Sequence, residues 1–411
     1  MKHSLTAAFL WLILLSGCSK KSGSATAGTT TADSATVTVI NGYGSGQYKI
    51  GDTVNIWAEA IPAGSVFNTW TGYNSLLENA GEWHNSFVMP SENVTVTATN
   101  SSLTPFTLTY EVIRGMNIPK NVYYYFPASQ VSQKGIVYLL HGTGGSAQTL
   151  VNNFEWQTTI NDLVAAGYAI VVTESEETSL NENPSGLGYQ WQPLPLDTLT
   201  NPDYGNFRAL TDTFYNRGYT NPSVPRYSIG MSNGGEFSAA LSYIYKYAAG
   251  VSYCAPSGTT IASSSVTPLQ FCMAKYDNNP SVGPTGDANA QTNSSTLTSR
   301  DICSQFYLHD HSPVYPQRFA RWSQISLTTS ASIYNELKAN HWLDNNNYLT
   351  AASDTISVYI LANPSAYPVT SSLNNSLFTY INDEIDIMYA AHQYYSDLAQ
   401  TTIHFLEAPC Q

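Results

Sequence analysis

Residues 135–140 and 168–173 are continuous apolar runs (Gly-Ile-Val-Tyr-Leu-Leu and Tyr-Ala-Ile-Val-Val-Thr). Neither shows the in-out alternation of a strand with one wet face, so each must be covered on both sides. Three more strand-like runs follow at 226–230, 250–254 and 269–274, and two precede at 106–113 and 122–126. Helical stretches at 150–166, 206–217 and 235–247 lie between them. Strands and helices in alternation predict a mostly parallel sheet flanked by helices, an α/β fold. Before residue 104 the period changes. From Ala35 the chain alternates every second residue, with turns rich in Gly, Pro and Asn, as in Thr36-Val37-Thr38-Val39-Ile40 and Val94-Thr95-Val96-Thr97-Ala98. That is the pattern of a half-buried antiparallel sheet, so a small all-β unit precedes the α/β one.

The chemistry-bearing motif is Gly230-Met231-Ser232-Asn233-Gly234, directly after one of the strands and directly before a helix. A sharp strand-to-helix turn lifts the serine hydroxyl clear of the sheet, and small flanking residues permit the strained backbone. An earlier strand ends in His141-Gly142-Thr143-Gly144-Gly145-Ser146. A glycine-rich turn there aims backbone N–H groups at a developing oxyanion.

On these residues, the chain from about 105 to its end resembles an α/β-hydrolase. His-Gly-Thr-Gly-Gly-Ser with Gly-Met-Ser-Asn-Gly-Gly is most similar to secreted esterases of the polyhydroxybutyrate-depolymerase and feruloyl-esterase type. The resemblance makes Ser232 the nucleophile and the N–H groups of Thr143 and Asn233 the oxyanion hole. The triad acid is expected after the next-to-last strand, where Lys275-Tyr276-Asp277 follows 269–274. Asp277 fits. Family members often read Asp-Pro-x-Val at this turn, whereas this chain reads Asn279-Pro280-Ser281-Val282. An amide cannot stabilise an imidazolium, so a two-residue shift keeps Asp277 in the role.

The histidine comes last in chain order. His392 follows 385–390, read as the final strand, and precedes 393–406, read as the final helix. A competing reading makes the whole segment helical and His392 an ordinary packed side chain. His341, in Asn340-His341-Trp342, is the alternative. His404 is expected to pack inside the last helix, and His309-Asp310-His311 reads as a polar loop, so no metal is expected. Residues 283–376 are read as an insertion that forms a lid or one wall of the cleft, with Trp191 lining the same cleft.

The first residues set the compartment. Lys2 and His3 precede an apolar run too short to span a bilayer, and it ends Leu15-Ser16-Gly17-Cys18. This resembles the lipobox of bacterial lipoproteins: residues 1–17 a signal, Cys18 the acylated residue, 18–34 a flexible Ser/Thr/Ala/Gly tether. Residues 35–100 resemble the bacterial surface repeat related to internalin B repeats, through Gly44-Ser45-Gly46 with Tyr48, Phe67-x-x-Trp70-Thr71-Gly72 and Phe87-Val88-Met89-Pro90. Trp57, Trp70 and Trp83 in this module are read as filling its small core rather than stacking on sugars. Of the remaining cysteines, Cys303 with Cys410 is the first pairing to expect, and Cys254 and Cys272 read as small buried residues.

With 16 Lys+Arg against 29 Asp+Glu, a formal net charge of −13, the chain lacks the basic footprint a nucleic-acid binder needs. The expected activity is a serine carboxylic ester hydrolase acting through an acyl-enzyme on a cell-wall or polyester-like ester. It needs no metal or organic cofactor, and touches membrane only through the lipid. The alternatives are a non-catalytic adhesion protein on a hydrolase scaffold and a serine peptidase of the same fold.

Overall fold

The computed structural model describes residues 33–128 and 133–410. Residues 1–17, Cys18 and nearly all of the expected tether lie outside the described residues. The N-terminal module has seven strands: β1 (Ser34–Ile40), β2 (Gly42–Tyr43), β3 (Gly46–Lys49), β4 (Thr53–Ala58), β5 (Ser65–Gly72), β6 (His84–Val88) and β7 (Val94–Ser102). They form one sheet in the order β3-β1-β7-β5 and another in the order β2-β4-β6. The inward residues of the alternating strands, Val37, Val39, Ile56, Phe87, Val94 and Val96, close a core around Trp70. All three tryptophans are buried.

The second unit is an eight-stranded sheet. β8 (Thr109–Arg114) and β9 (Pro119–Tyr125) are antiparallel, and β9 joins β11 in the same sense. The rest is parallel: β10 (Gly135–Leu140), β11 (Tyr168–Val172), β12 (Arg226–Met231), β13 (Ala249–Tyr253), β14 (Leu269–Ala274) and β15 (Ser304–His309). Their spatial order is β15-β14-β13-β12-β10-β11-β9-β8. The crossovers carry α1 (Ala147–Asn152) and α2 (Phe154–Ala165), then α3 (Glu176–Leu180) and α4 (Pro202–Asn216), α5 (Asn233–Tyr245), α6 (Thr259–Ser264) and α7 (Gly283–Thr298). One sheet face packs Tyr138, Phe207 and Phe237, and the other Val137, Trp156 and Tyr253. This is the two-sided burial that the apolar runs require.

The expected insertion boundary is wrong by one crossover. Residues 283–309 are α7 and the edge strand β15, both part of the sheet's own framework. They are hard to see in sequence for a physical reason. α7 (Gly-Pro-Thr-Gly-Asp-Ala-Asn-Ala-Gln-Thr) has no apolar stripe, and β15, paired on one side only, keeps a mixed Ser-Gln-Phe-Tyr-Leu-His pattern. The excursion instead fills 310–391. It holds α8 (Leu327–Ala339), α9 (Ser353–Ala362) and α10 (Asn375–Tyr389) around a separate core of Phe319, Ile333, Leu337, Ile356, Ile381 and Ile385. The expected final strand at 385–390 is therefore the end of α10. Its apolar residues serve a helical stripe, and Ala390 ends it in the left-handed region at φ 58°. The chain closes with α11 (Ala399–Glu407).

The module does not hang free. Tyr315, from the excursion, sits in the module's core with its ring stacked on Trp57 at 4.3 Å. Trp83 donates from Nε1 to Asp397 at 3.1 Å and lies 4.0 Å from the Arg321 guanidinium. Asn79 donates to Thr401 Oγ1 at 2.7 Å, on α11. Two separate stretches of the second unit, 315–321 and 397–401, thus hold the first.

Cys303 and Cys410 are disulfide-bonded across 107 residues, tying the chain's end to the start of β15. Closing so long a loop in the unfolded chain stabilises the fold by about 2–5 kcal/mol. Reduction, or Cys410→Ser, should lower the urea midpoint accordingly, and an unchanged midpoint would show that the bridge carries no stability. Cys254 and Cys272 remain free and buried.

Candidate active site

Ser232 sits between β12 and α5 with φ 57° and ψ −126°, a strained backbone that only a tightly built turn holds. The glycines around it make the turn possible. A Cβ on Gly230 would lie 2.0 Å from the Gly234 carbonyl oxygen, and one on Gly234 would lie 2.3 Å from that of His141. Any side chain at either position would push the helix off the strand.

His392 leaves the end of α10 three residues after Tyr389 and reaches back over the sheet. Its Nε2 is 2.8 Å from Ser232 Oγ and its Nδ1 is 2.7 Å from Asp277 Oδ2. Asp277 lies in the turn after β14, and its other oxygen accepts the Asn279 N–H at 2.9 Å. Through that bond Asn279 lends the acid a backbone donor, so it stands beside Asp277 instead of replacing it. Tyr276 N–H donates to the Ala390 carbonyl at 2.9 Å, so the acid-bearing and histidine-bearing loops are stitched together. The segment before His392 is helical, as the competing reading had it, yet His392 meets Ser232 and Asp277.

Thr143 and Asn233 both border this site. Asn233 opens α5, so its N–H has no intrahelical partner, and Thr143 N–H makes no hydrogen bond among the described residues. Two free donors and a helix N-terminus beside a serine hydroxyl suit a developing negative charge. Side chains brace the turn that carries Thr143. His141 Nδ1 donates to the Gly142 carbonyl at 2.7 Å, and Nε2 accepts from Ser175 N–H at 3.1 Å. These partners define a neutral ring, and burial pushes its pKa down to about 4.

The unfolded His141 takes up a proton below pH 6.5, whereas the folded ring resists until about pH 4. Its stabilising effect is complete above pH 6.5 and is lost as the pH falls towards 4, at a cost of about 3 kcal/mol. His141→Gln should flatten that part of the stability–pH curve, as read by urea melts. An identical slope in the variant would exclude the ring as its source.

Trp191 does not line the cleft. It is buried, with Nε1 donating to the His141 carbonyl at 2.9 Å and its ring stacked on Phe237. Its backbone is gripped by Asn233, which accepts from Trp191 N–H at 2.6 Å and donates to its carbonyl at 3.1 Å. The tryptophan thus supports the floor beneath the turn. His341 is exposed beyond the end of α8, in the outer part of the excursion, and does not reach Ser232. His404 is exposed on α11 rather than packed. His309 bonds the Ile387 carbonyl and stacks on Tyr395, while Asp310 pairs with Lys275. Among the described residues, Cys254, Asp277 and His392 do bring three potential ligand atoms within 4.8 Å. Two of these residues are already engaged with each other and with Ser232.

The cleft above Ser232 encloses about 340 Å³ and is walled by Thr143, Leu150, Trp156, Asn279 and Tyr394. Trp156 and Tyr394 stack face to face at 3.6 Å. None of the lining residues comes from 310–389, so the excursion is not a lid over this cleft. It supports the rim from behind: Asp383, on α10, accepts from Gln393 at 2.6 Å and from Asn153 at 2.9 Å. Asn279 and Gln393 escape sequence reading because polar residues in irregular segments give no periodic signal, and Asp383 because a polar residue on a helix reads as one more solvated position. Only Asn279 left a trace, as the departure from Asp-Pro-x-Val.

Residues 25–102 match the family model of the divergent InlB B-repeat domain. No curated protein matches the chain in sequence. Solved structures similar to it include an α/β serine hydrolase without lid from Xanthomonas campestris, 13% identical, covering 51% of this chain and 86% of that one, with a TM-score of 0.34. A ferulic acid esterase is 13% identical, covering 49% and 90%, at 0.38. An acetyl xylan esterase from Aspergillus awamori is 17% identical, covering 47% and 81%, at 0.35. Chemistry does not transfer at such distances, and the site's own geometry has to carry it. The chain is a small all-β module that matches the divergent InlB B-repeat domain, followed by a mostly parallel α/β sheet that brings Ser232, His392 and Asp277 into one hydrogen-bonded line.

Proposed function

We propose that the protein is a serine carboxylic ester hydrolase working outside the cytoplasm. The observation that carries this reading is the unbroken run Ser232 Oγ, His392, Asp277 at the N-terminus of α5. Ser232 is a weak nucleophile by itself, so His392 Nε2 takes its proton as Oγ attacks the ester carbonyl. Asp277 holds the Nδ1–H tautomer and stabilises the imidazolium, with its second oxygen fixed by Asn279. The oxyanion of the tetrahedral intermediate is received by the Thr143 and Asn233 N–H groups. His392 returns the proton to the departing alcohol, and water then releases the acyl group by the same path in reverse. Every step is acid–base and nucleophilic chemistry by these side chains, and a metal or organic cofactor has no part in it.

The open, aromatic-walled cleft fits an acyl group carried on a larger ester, either cell-wall or polyester-like. A disulfide belongs to an oxidising compartment, which supports a location beyond the cytoplasmic membrane. Acylation of Cys18 would anchor it there. The test is a panel of feruloyl, acetyl-xylan, hydroxybutyrate and aromatic polyester substrates, together with a fluorophosphonate probe and globomycin treatment of cells. Ester turnover with labelling at Ser232 supports the reading. Peptide turnover alone would reassign the protein as a peptidase, and no turnover or labelling would leave an adhesion scaffold.

A further inference from the structure

A second cavity lies away from Ser232, where the module, α2 and the excursion meet. It encloses about 210 Å³ and is lined by the loop before β5 around Ala63, by Trp83, by Phe154 and Asp162 of α2, and by Trp322. Three segments far apart in sequence build it, so it exists only while the module is docked. Asp162 is 93% buried (7% exposed), and although its carboxyl has a side-chain hydrogen bond with Gln400, Oδ1 has no hydrogen-bond partner among the described residues. A ligand hydroxyl would satisfy this orphaned buried oxygen.

The lining selects the ligand by chemistry. An apolar molecule would cover the aromatic rings but leave the Asp162 oxygen unsatisfied. An anion finds no free cation, because the Arg321 guanidinium is held by Glu155 and Glu384. A cation meets that same guanidinium at the wall; of the two acidic lining groups, Glu59 is exposed to solvent, and burial pushes the Asp162 carboxyl up to about 8. What remains is a neutral molecule with apolar faces and hydroxyl edges. The volume is below the roughly 300–1,000 Å³ of drug-sized sites and suits a single ring. We propose that this junction cavity binds one neutral sugar ring, with an apolar face against Trp322 and Phe154 and a hydroxyl on Asp162. The site would hold the protein on a glycan independently of what happens at Ser232.

The experiment titrates the full-length, disulfide-bonded protein with methyl pyranosides of glucose, xylose, galactose and mannose. Binding is followed by tryptophan fluorescence and saturation-transfer NMR. At least one pyranoside should bind saturably with a millimolar Kd. Asp162→Leu should weaken it about tenfold or more, whereas Asp162→Asn, which keeps a polar partner, should stay within about threefold. Ala63→Trp, at an exposed loop position, should fill the mouth and abolish binding even if the leucine variant folds poorly. Absence of saturable binding to any pyranoside overturns the proposal, and so does binding undiminished in Ala63→Trp. The assay needs no turnover, so a protein inert towards esters would still be expected to bind the ring.

Discussion

Ser232→Ala should lower kcat on short p-nitrophenyl esters by roughly four to six orders of magnitude, with KM nearly unchanged. The hydroxyl's partner is His392 Nε2 at 2.8 Å, and the strained φ of 57° belongs to the turn rather than to the side chain. Removing one oxygen therefore deletes the proposed nucleophile without disturbing the fold. Asp277→Asn should follow with a loss of about four orders of magnitude, because the amide leaves the imidazole in the wrong tautomer. Residual activity within tenfold of wild type in Ser232→Ala would exclude the triad as the catalytic machinery. Thermal melts on the same samples separate lost chemistry from lost structure.

Arg321→Met should be the most destabilising substitution in the interface between the two units, by about 3–5 kcal/mol. The guanidinium bonds Glu155 at 2.8 Å and Glu384 at 3.2 Å and lies over Trp83. Burial pushes the Glu384 carboxyl up to about 8, while Arg318 and Arg321 pull it down. Glu155 also accepts Ser396 N–H at 2.7 Å, so the pair ties α2 to the segment before α11. Removing the cation strands Glu155, leaves Glu384 to Arg318 alone and uncovers one face of the tryptophan that docks the module. Pairing the change with Glu155→Gln should recover much of the loss, since the penalty lies in the unpaired charge rather than in a missing attraction. Equal urea midpoints for wild type and Arg321→Met would mean that the network adds no stability.

Local rules made several features legible. Strands buried on both faces announce themselves as unbroken apolar runs, which is why β10 and β11 are plain in the sequence. A serine between small residues at a strand-to-helix turn is equally plain, because the backbone there tolerates little else. β15 and α7 were hidden for the opposite reason: an edge strand and a polar crossover helix need no strong pattern. The stretch 385–390 misled because a short, mostly apolar segment interrupted only by Asp386 satisfies a strand and one helical stripe alike. Trp191 misled because an aromatic near the motif has the same appearance whether it faces a cleft or the floor beneath it.

By itself the sequence determined the two-part architecture, the serine turn and the glycine-rich turn beside it, since each depends on neighbouring residues and on backbone sterics. Only the tertiary structure decided which histidine meets Ser232, that Asn279 serves the acid through its backbone, and that the excursion carries the module rather than covering the cleft. Those outcomes depend on contacts between residues tens to hundreds of positions apart, such as Trp57 with Tyr315 and His392 with Ser232. Side chains that meet across such separations are selected by how the elements pack, and no local pattern records that choice.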